Sequence, residues 1–180
     1  MSHKLHEMHE HAEHANHDPS LVPVTFTMAI LAVFVAAVAL LGHRAHTEEL
    51  LLQNKASDQW AYFQVKNIRR HSYELFLDLL SINELKDRER LEKLRQKYEG
   101  EVERYKEEQK EIEAEGHNLE KEVGLERRRA DRFDLGEVCL EAALIIASIT
   151  LLNKRRFFWY SGIALGMAGL ISAATGFWVH

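Results

Sequence analysis

Three apolar stretches, at 21–41, 135–152 and 157–179, limit what this chain can fold into. Each approaches or exceeds the roughly 20 residues with which a helix crosses a hydrocarbon core about 30 Å thick. Between the first two lies a segment dense in Glu, Lys and Arg. Such a sequence predicts an all-α membrane protein with three transmembrane helices. Between spans one and two it predicts a long antiparallel helical hairpin with coiled-coil character.

Bulk composition hides this division. The mean hydropathy of −0.30 averages nearly uncharged spans with a highly charged middle. A net charge of −5 argues against a nucleic-acid partner. The Arg-rich patches sit beside predicted membrane boundaries, where positive charge sets topology. Cys139 is the only cysteine, so no disulfide forms within the chain. The first apolar stretch is read as an uncleaved anchor. Ala37-Val38-Ala39 has cleavage-like spacing, but the run from Val24 to Leu41 exceeds a signal h-region, and only Lys4 stands where a basic n-region belongs.

The expected organisation follows from these boundaries. Residues 1–20 form a polar, His-rich tail with too few apolar side chains to pack. Transmembrane helix 1 covers 21–42, with Pro23 in its first turn, where a missing N–H costs nothing. Residues 43–132 form the extramembrane hairpin, with its turn near 83–88 and Gly100 as the other turn site. Transmembrane helix 2 covers 133–152, a basic loop 153–156, and transmembrane helix 3 157–179. Trp159, Tyr160 and Trp178 near the ends of the last span suit an aromatic belt.

Two kinds of seam are visible. Ala29, Ala32, Ala36 and Ala39 in span one, and Gly162, Gly166 and Gly169 in span three, are small residues at helical spacing, which permit close backbone approach in lipid. In the hairpin, Ala61, Val65, Ile68, Ser72, Leu75, Leu79 and Ile82 alternate by four and three, the pattern of a coiled-coil seam. Leu91, Tyr98, Tyr105, Ile112 and Leu119 repeat every seven residues on the returning arm. Glu101, Glu108 and Glu115 weaken its second stripe. An antiparallel hairpin then predicts Ile82 against Leu91, Leu75 against Tyr98 and Ile68 against Tyr105.

Candidate chemistry is sparse. His3, His6, His9, His11, His14 and His17 in the tail offer imidazoles three apart. These could take a divalent transition metal, but nothing completes a fixed site, so no cofactor is assigned firmly. His43 and His46 form a further pair. Glu141 lies 12 residues before Asn153, about 18 Å from that end at 1.5 Å per residue. A carboxylate at that depth costs about 2.5–3.5 kcal/mol on insertion scales and normally meets a partner, water or a proton. Glu137 lies one turn away. Bonding of Glu141 to Ser148 or Thr150 is the plain alternative to an ion pathway. Trp60, Gln64, Asn67, His71 and Glu74 present aromatic and amide groups on a second face of the first arm, suited to contact with a partner.

The stretch ASDQWAYFQVKNIRRHSYE, then a Glu/Lys-rich helix and NKRRFFWYSGIALG, resembles a bacterial family of small membrane proteins known only as a domain of unknown function. The resemblance covers about 20–180 and leaves out the His-rich tail. It implies a bacterial inner-membrane protein with three spans, and no activity or catalytic residue. The four-residue basic loop, weighted above the longer segment, favours an external, periplasmic hairpin.

No nucleophile elbow, phosphate loop or complete metal site is present, so the chain is not expected to be an enzyme. The expected function is that of a membrane-anchored structural or interaction protein, homo-oligomeric, presenting the hairpin to a protein partner. The alternative is a cation or proton pathway through Glu141 and Glu137, regulated by metal at the tail. The bilayer is a partner in both readings.

Overall fold

The computed structural model describes residues 21–82 and 88–179. They form three helices: α1 (Val22–Ile82), α2 (Arg88–Asn153) and α3 (Arg156–Gly176). After Pro23 the chain contains no proline, and so nothing that removes a backbone donor from a helix interior. Gly100, Gly116, Gly124 and Gly136 all lie inside α2, and Gly100 makes no turn. The expected turn falls at 83–87, outside the described residues, as does the histidine tail. Each of the three helices holds a segment long and apolar enough to cross a membrane.

Two compact units divide the described residues. The first joins the part of α1 up to Glu48 to the part of α2 from Leu125 onward and to α3. The second is a helical hairpin, Glu49–Gly124.

In the first unit the core is built from small and apolar side chains. Leu31, Val38 and Ala45 of α1 meet Ala130, Phe133, Leu140 and Ala143 of α2 and Ala173 of α3. Val24, Met28 and Ala147 make a second cluster. α3 buries one stripe, Gly162, Gly166, Gly169, Ala173 and Gly176. This stripe lets backbones touch. A Cβ on Gly169 would lie 2.9 Å from the Gly136 carbonyl oxygen, and one on Gly162 2.9 Å from that of Ala143. Phe177 closes the end of α3 edge-on against Phe133, with ring centroids 5.4 Å apart.

α2 and α3 are separated by a tight turn. Lys154 takes a left-handed backbone (φ 52°), the only non-glycine to do so among the described residues. That conformation costs an L-residue about 1 kcal/mol. Its N–H bonds the Thr150 carbonyl at 2.8 Å, ending α2.

The small residues of spans one and three behave differently. Gly162, Gly166 and Gly169 pack within the chain, as just described. Ala29 and Ala36 are exposed, and Ala32 and Ala39 only half-buried. α1 instead turns Val24, Met28, Leu31, Val38 and Ala45 inward. Larger side chains won that face because they fill the space against α2, where small ones would leave voids.

Candidate interaction surface

The hairpin positions its side chains in an unexpected way. On α1 the inward positions are Leu52, Ala56, Gln59, Phe63, Lys66, Arg70, Tyr73, Leu77 and Leu80, all buried or half-buried and spaced by four and three. Opposite them, α2 supplies Val102, Tyr105, Gln109, Ile112 and Gly116, all buried. Much of this core is polar. Lys66 Nζ donates to Glu108 Oε2 at 2.6 Å and lies over the Tyr62 and Tyr105 rings at 5.1 and 5.2 Å. Gln109 is only 5% exposed and donates from Nε2 to Asn67 Oδ1 at 3.2 Å. The same oxygen accepts from Arg70 at 3.1 Å. Tyr73 stacks between Tyr105 and Tyr98, at 5.8 and 5.4 Å.

Electrostatics follow the geometry. The hydrogen bond from Lys66, then its charge, holds the Glu108 carboxyl below the usual carboxylate range. The same hydrogen bond raises the Lys66 ammonium above its ordinary value.

The apolar seam read from the sequence faces the other way. Ala61, Val65, Ile68, Ser72, Leu75, Leu79 and Ile82 are all exposed, Ile68 by 66% and Ile82 by 78%. The expected pairings move accordingly. Tyr98 meets Tyr73 and Phe76 rather than Leu75. Tyr105 meets Tyr73 and Lys66 rather than Ile68. The second inward stripe of α2 is Val102, Gln109 and Gly116, one position beyond the Glu101, Glu108 and Glu115 series. Aromatic rings and the long aliphatic stems of polar residues share the interior with Leu52, Ala56, Leu80, Val102 and Ile112, while the seven-residue apolar seam of α1 stays outside. Ser72 does not interrupt this outward stripe, because its hydroxyl donates back to the Ile68 carbonyl at 2.8 Å.

The face read as a contact surface is partly consumed inside the hairpin. Trp60 donates from Nε1 to Glu120 Oε1 at 3.0 Å and meets the His117 ring edge-on at 5.2 Å. Gly116 makes room for it, since a Cβ there would lie 3.1 Å from the indole. Asn67 serves Gln109 and Arg70, as above. His71 Nδ1 lies 2.8 Å from Glu74 Oε2, a pair within one helical turn. Gln64 and His71 remain exposed.

The two carboxylates within the apolar segment of α2 differ in exposure. Glu141 is exposed and Glu137 half-buried. Ser148 donates to the Ile145 carbonyl at 2.7 Å, so its hydroxyl does not serve Glu141. Of the second histidine pair, His46 Nε2 lies 3.0 Å from Asp134 Oδ2, joining α1 to α2, and His43 is exposed. Among the described residues, no group of three or more His, Cys, Asp or Glu side chains is placed to hold a metal ion. The tail histidines lie outside the described residues.

Sequence reasoning missed the polar hairpin core. Gln59, Lys66 and Tyr73, seven apart on α1, were the available signal, masked by the stronger apolar stripe beside them.

No curated protein and no solved structure matches the chain. Residues 20–179 match one family along nearly the whole sequence, and the chain belongs to that family, described as a domain of unknown function (DUF4337).

Proposed function

We propose that this protein is a membrane-anchored, homo-oligomeric interaction protein of the bacterial inner membrane, whose hairpin assembles through the outward stripe of α1. One observation carries the reading. Seven positions from Ala61 to Ile82, alternating by four and three, are all exposed in the single chain. An apolar stripe that size in water favours burial. The alternation is the one by which helices of the same kind interlock, so a second copy supplies a matching surface. Within the first unit, exposed Phe26, Val33 and Leu40 at seven-residue spacing suit lipid or another copy equally.

Span insertion follows from the three apolar segments. The basic loop Asn153–Arg156 favours the cytoplasmic side and a periplasmic hairpin. Gln64 and His71, exposed beside the stripe, remain available to a further protein partner.

Cysteine crosslinking in membranes tests the assembly. With Cys139 replaced by Ser, Leu75→Cys and Ile68→Cys are expected to form disulfide-linked dimers, while Asp58→Cys is not. Monomer alone at both seam positions would sink the reading.

A second reading is a cation or proton pathway. Its motivation is Glu141, exposed on α2 beside Val138 and Ile145, with no hydrogen-bond or ion-pair partner among the described residues. In an oligomer such carboxylates could line a shared path. Flux into vesicles that is unchanged by Glu141→Gln, or absent in the wild type, removes it.

A further inference from the structure

Where α1 and α3 begin and α2 ends, the first unit holds a cavity of about 290 Å³. Pro23 and Val24 line it from α1, Thr150 from α2, and Lys154, Arg156 and Trp159 from the turn and α3. Thr150 is 1% exposed, and its Oγ1 has no hydrogen-bond partner. A helical threonine ordinarily returns its hydroxyl to the preceding turn. Nearly all buried hydroxyls are paired, so an unpaired one in a cavity wall points to a missing polar guest.

The sign of that guest follows from its surroundings. α3 starts here, and the partial positive charge of a helix N-terminus favours an anion, whereas the first N–H groups of α1, at Val24 and Thr25, already bond the Leu21 carbonyl at 3.0 and 3.1 Å. α3 has Arg155 at its N-cap with no side chain capping its first turn. Arg156 adds a full charge, and the loop 153–156 contains no acid. Arg156 has no ion-pair partner among the described residues, and a guanidinium matches phosphate oxygens two at a time. The walls are held in place. Trp159 donates from Nε1 to Thr27 Oγ1 at 2.9 Å, and Lys154 is fixed by its left-handed turn and its bond to the Thr150 carbonyl.

We infer that this cavity binds the headgroup phosphate of an anionic glycerophospholipid. The inference rests on the membrane-spanning reading, which puts these residues at the lipid–water boundary. Aromatic and basic side chains gather at that depth, and basic pockets between spans hold lipid headgroups there. The Thr150 hydroxyl donates to a phosphate oxygen, Arg156 neutralises the charge, and Trp159 lines the cavity beside the ligand.

Native mass spectrometry of the full-length protein, stripped of lipid in detergent, tests this. Phosphatidylglycerol, phosphatidylcholine and inorganic phosphate are titrated separately. Phosphatidylglycerol is expected to be retained over phosphatidylcholine, and Lys154→Gln with Arg156→Gln to weaken its retention about tenfold or more. Thr150→Val is expected to weaken it about fivefold, the scale of one hydrogen bond, while Thr150→Ser and Arg155→Gln bind as wild type. Should the double variant misfold by circular dichroism, the Thr150→Val and Thr150→Ser pair decides alone. Equal retention of both lipids, or of phosphatidylglycerol by wild type and Thr150→Val, overturns the inference. Retention of inorganic phosphate without lipid overturns the lipid assignment as well. Release of the protein from membranes by alkaline carbonate would instead break the membrane reading. An integral protein without headgroup preference breaks this inference only.

Discussion

In the first unit α1 and α2 meet through Leu31, Val38, Phe133, Leu140 and Ala143, with glycines bringing α3 into backbone contact. In the hairpin the same two helices meet through Gln59, Lys66, Asn67, Tyr73, Tyr105 and Gln109. The spacing is alike and the chemistry is opposite. Helices that meet backbone to backbone gain from close contact and dispersion, and small residues serve that best. Water tolerates a polar core whose groups are paired, and long stems still bury apolar length. On α1 a coiled-coil reading based on apolar residues therefore finds the outward face, whereas on α2 the stripe Leu91, Tyr98, Tyr105, Ile112 and Leu119 does turn inward.

The sharpest way to break the comparison is to enlarge a backbone contact in the first unit. Gly169→Leu forces a side chain into the Gly136 carbonyl and Cys139, and a loss of about 3 kcal/mol is expected. Gly100→Leu, in open space, should not destabilise. Thermal unfolding in detergent compares the two, and equal melting temperatures would refute backbone-limited packing. Next, Trp60→Ala removes the indole over Gly116 and its bond to Glu120. Because the side chain is only half-buried, about 2 kcal/mol is expected, less than a full core truncation. Proteolysis confined to the hairpin arms would read it.

Smaller is the Lys66–Glu108 pair. A double-mutant cycle with Lys66→Met and Glu108→Gln should yield about 1 kcal/mol of coupling. Its pH dependence has a defined sign. Glu108 is lowered in the fold, so its contribution is present above the ordinary carboxylate range and fades as pH falls through the lowered value. Lys66 is raised, so its contribution is present below the ordinary lysine value and fades as pH rises through the raised one. A coupling that grows in acid would contradict the pairing. Smallest in stability is Leu75→Asn on the outward stripe, expected to change folding of one chain by less than about 0.5 kcal/mol. The same change should shift the sedimenting species to smaller mass. A stability loss like that of Trp60→Ala would mean that Leu75 lies inside.

Much of the architecture was legible because it depends on local properties. Apolar length marked three helices capable of spanning, and the absence of proline after Pro23 let α1 and α2 run long. Gly162, Gly166 and Gly169 were readable as packing residues because only a missing side chain permits a 2.9 Å approach to backbone. The contact face was less legible. Trp60 and Asn67 look like anchors for a partner in sequence, yet Glu120, His117 and Gln109 meet them across the hairpin. Those partners lie 42 to 60 residues away along the chain, and no local pattern reports them.

Composition and periodicity alone established three apolar helical segments, a charged helical middle and a basic turn at Asn153–Arg156, since helix formation and transfer into lipid depend on neighbouring residues. Which stripe of α1 turns inward was settled only by tertiary packing. The arms choose the register that pairs Lys66 with Glu108 and seats Trp60 over Gly116, and this leaves Ile68 and Leu75 outside. The unpaired hydroxyl of Thr150 likewise exists only because three chain segments enclose it.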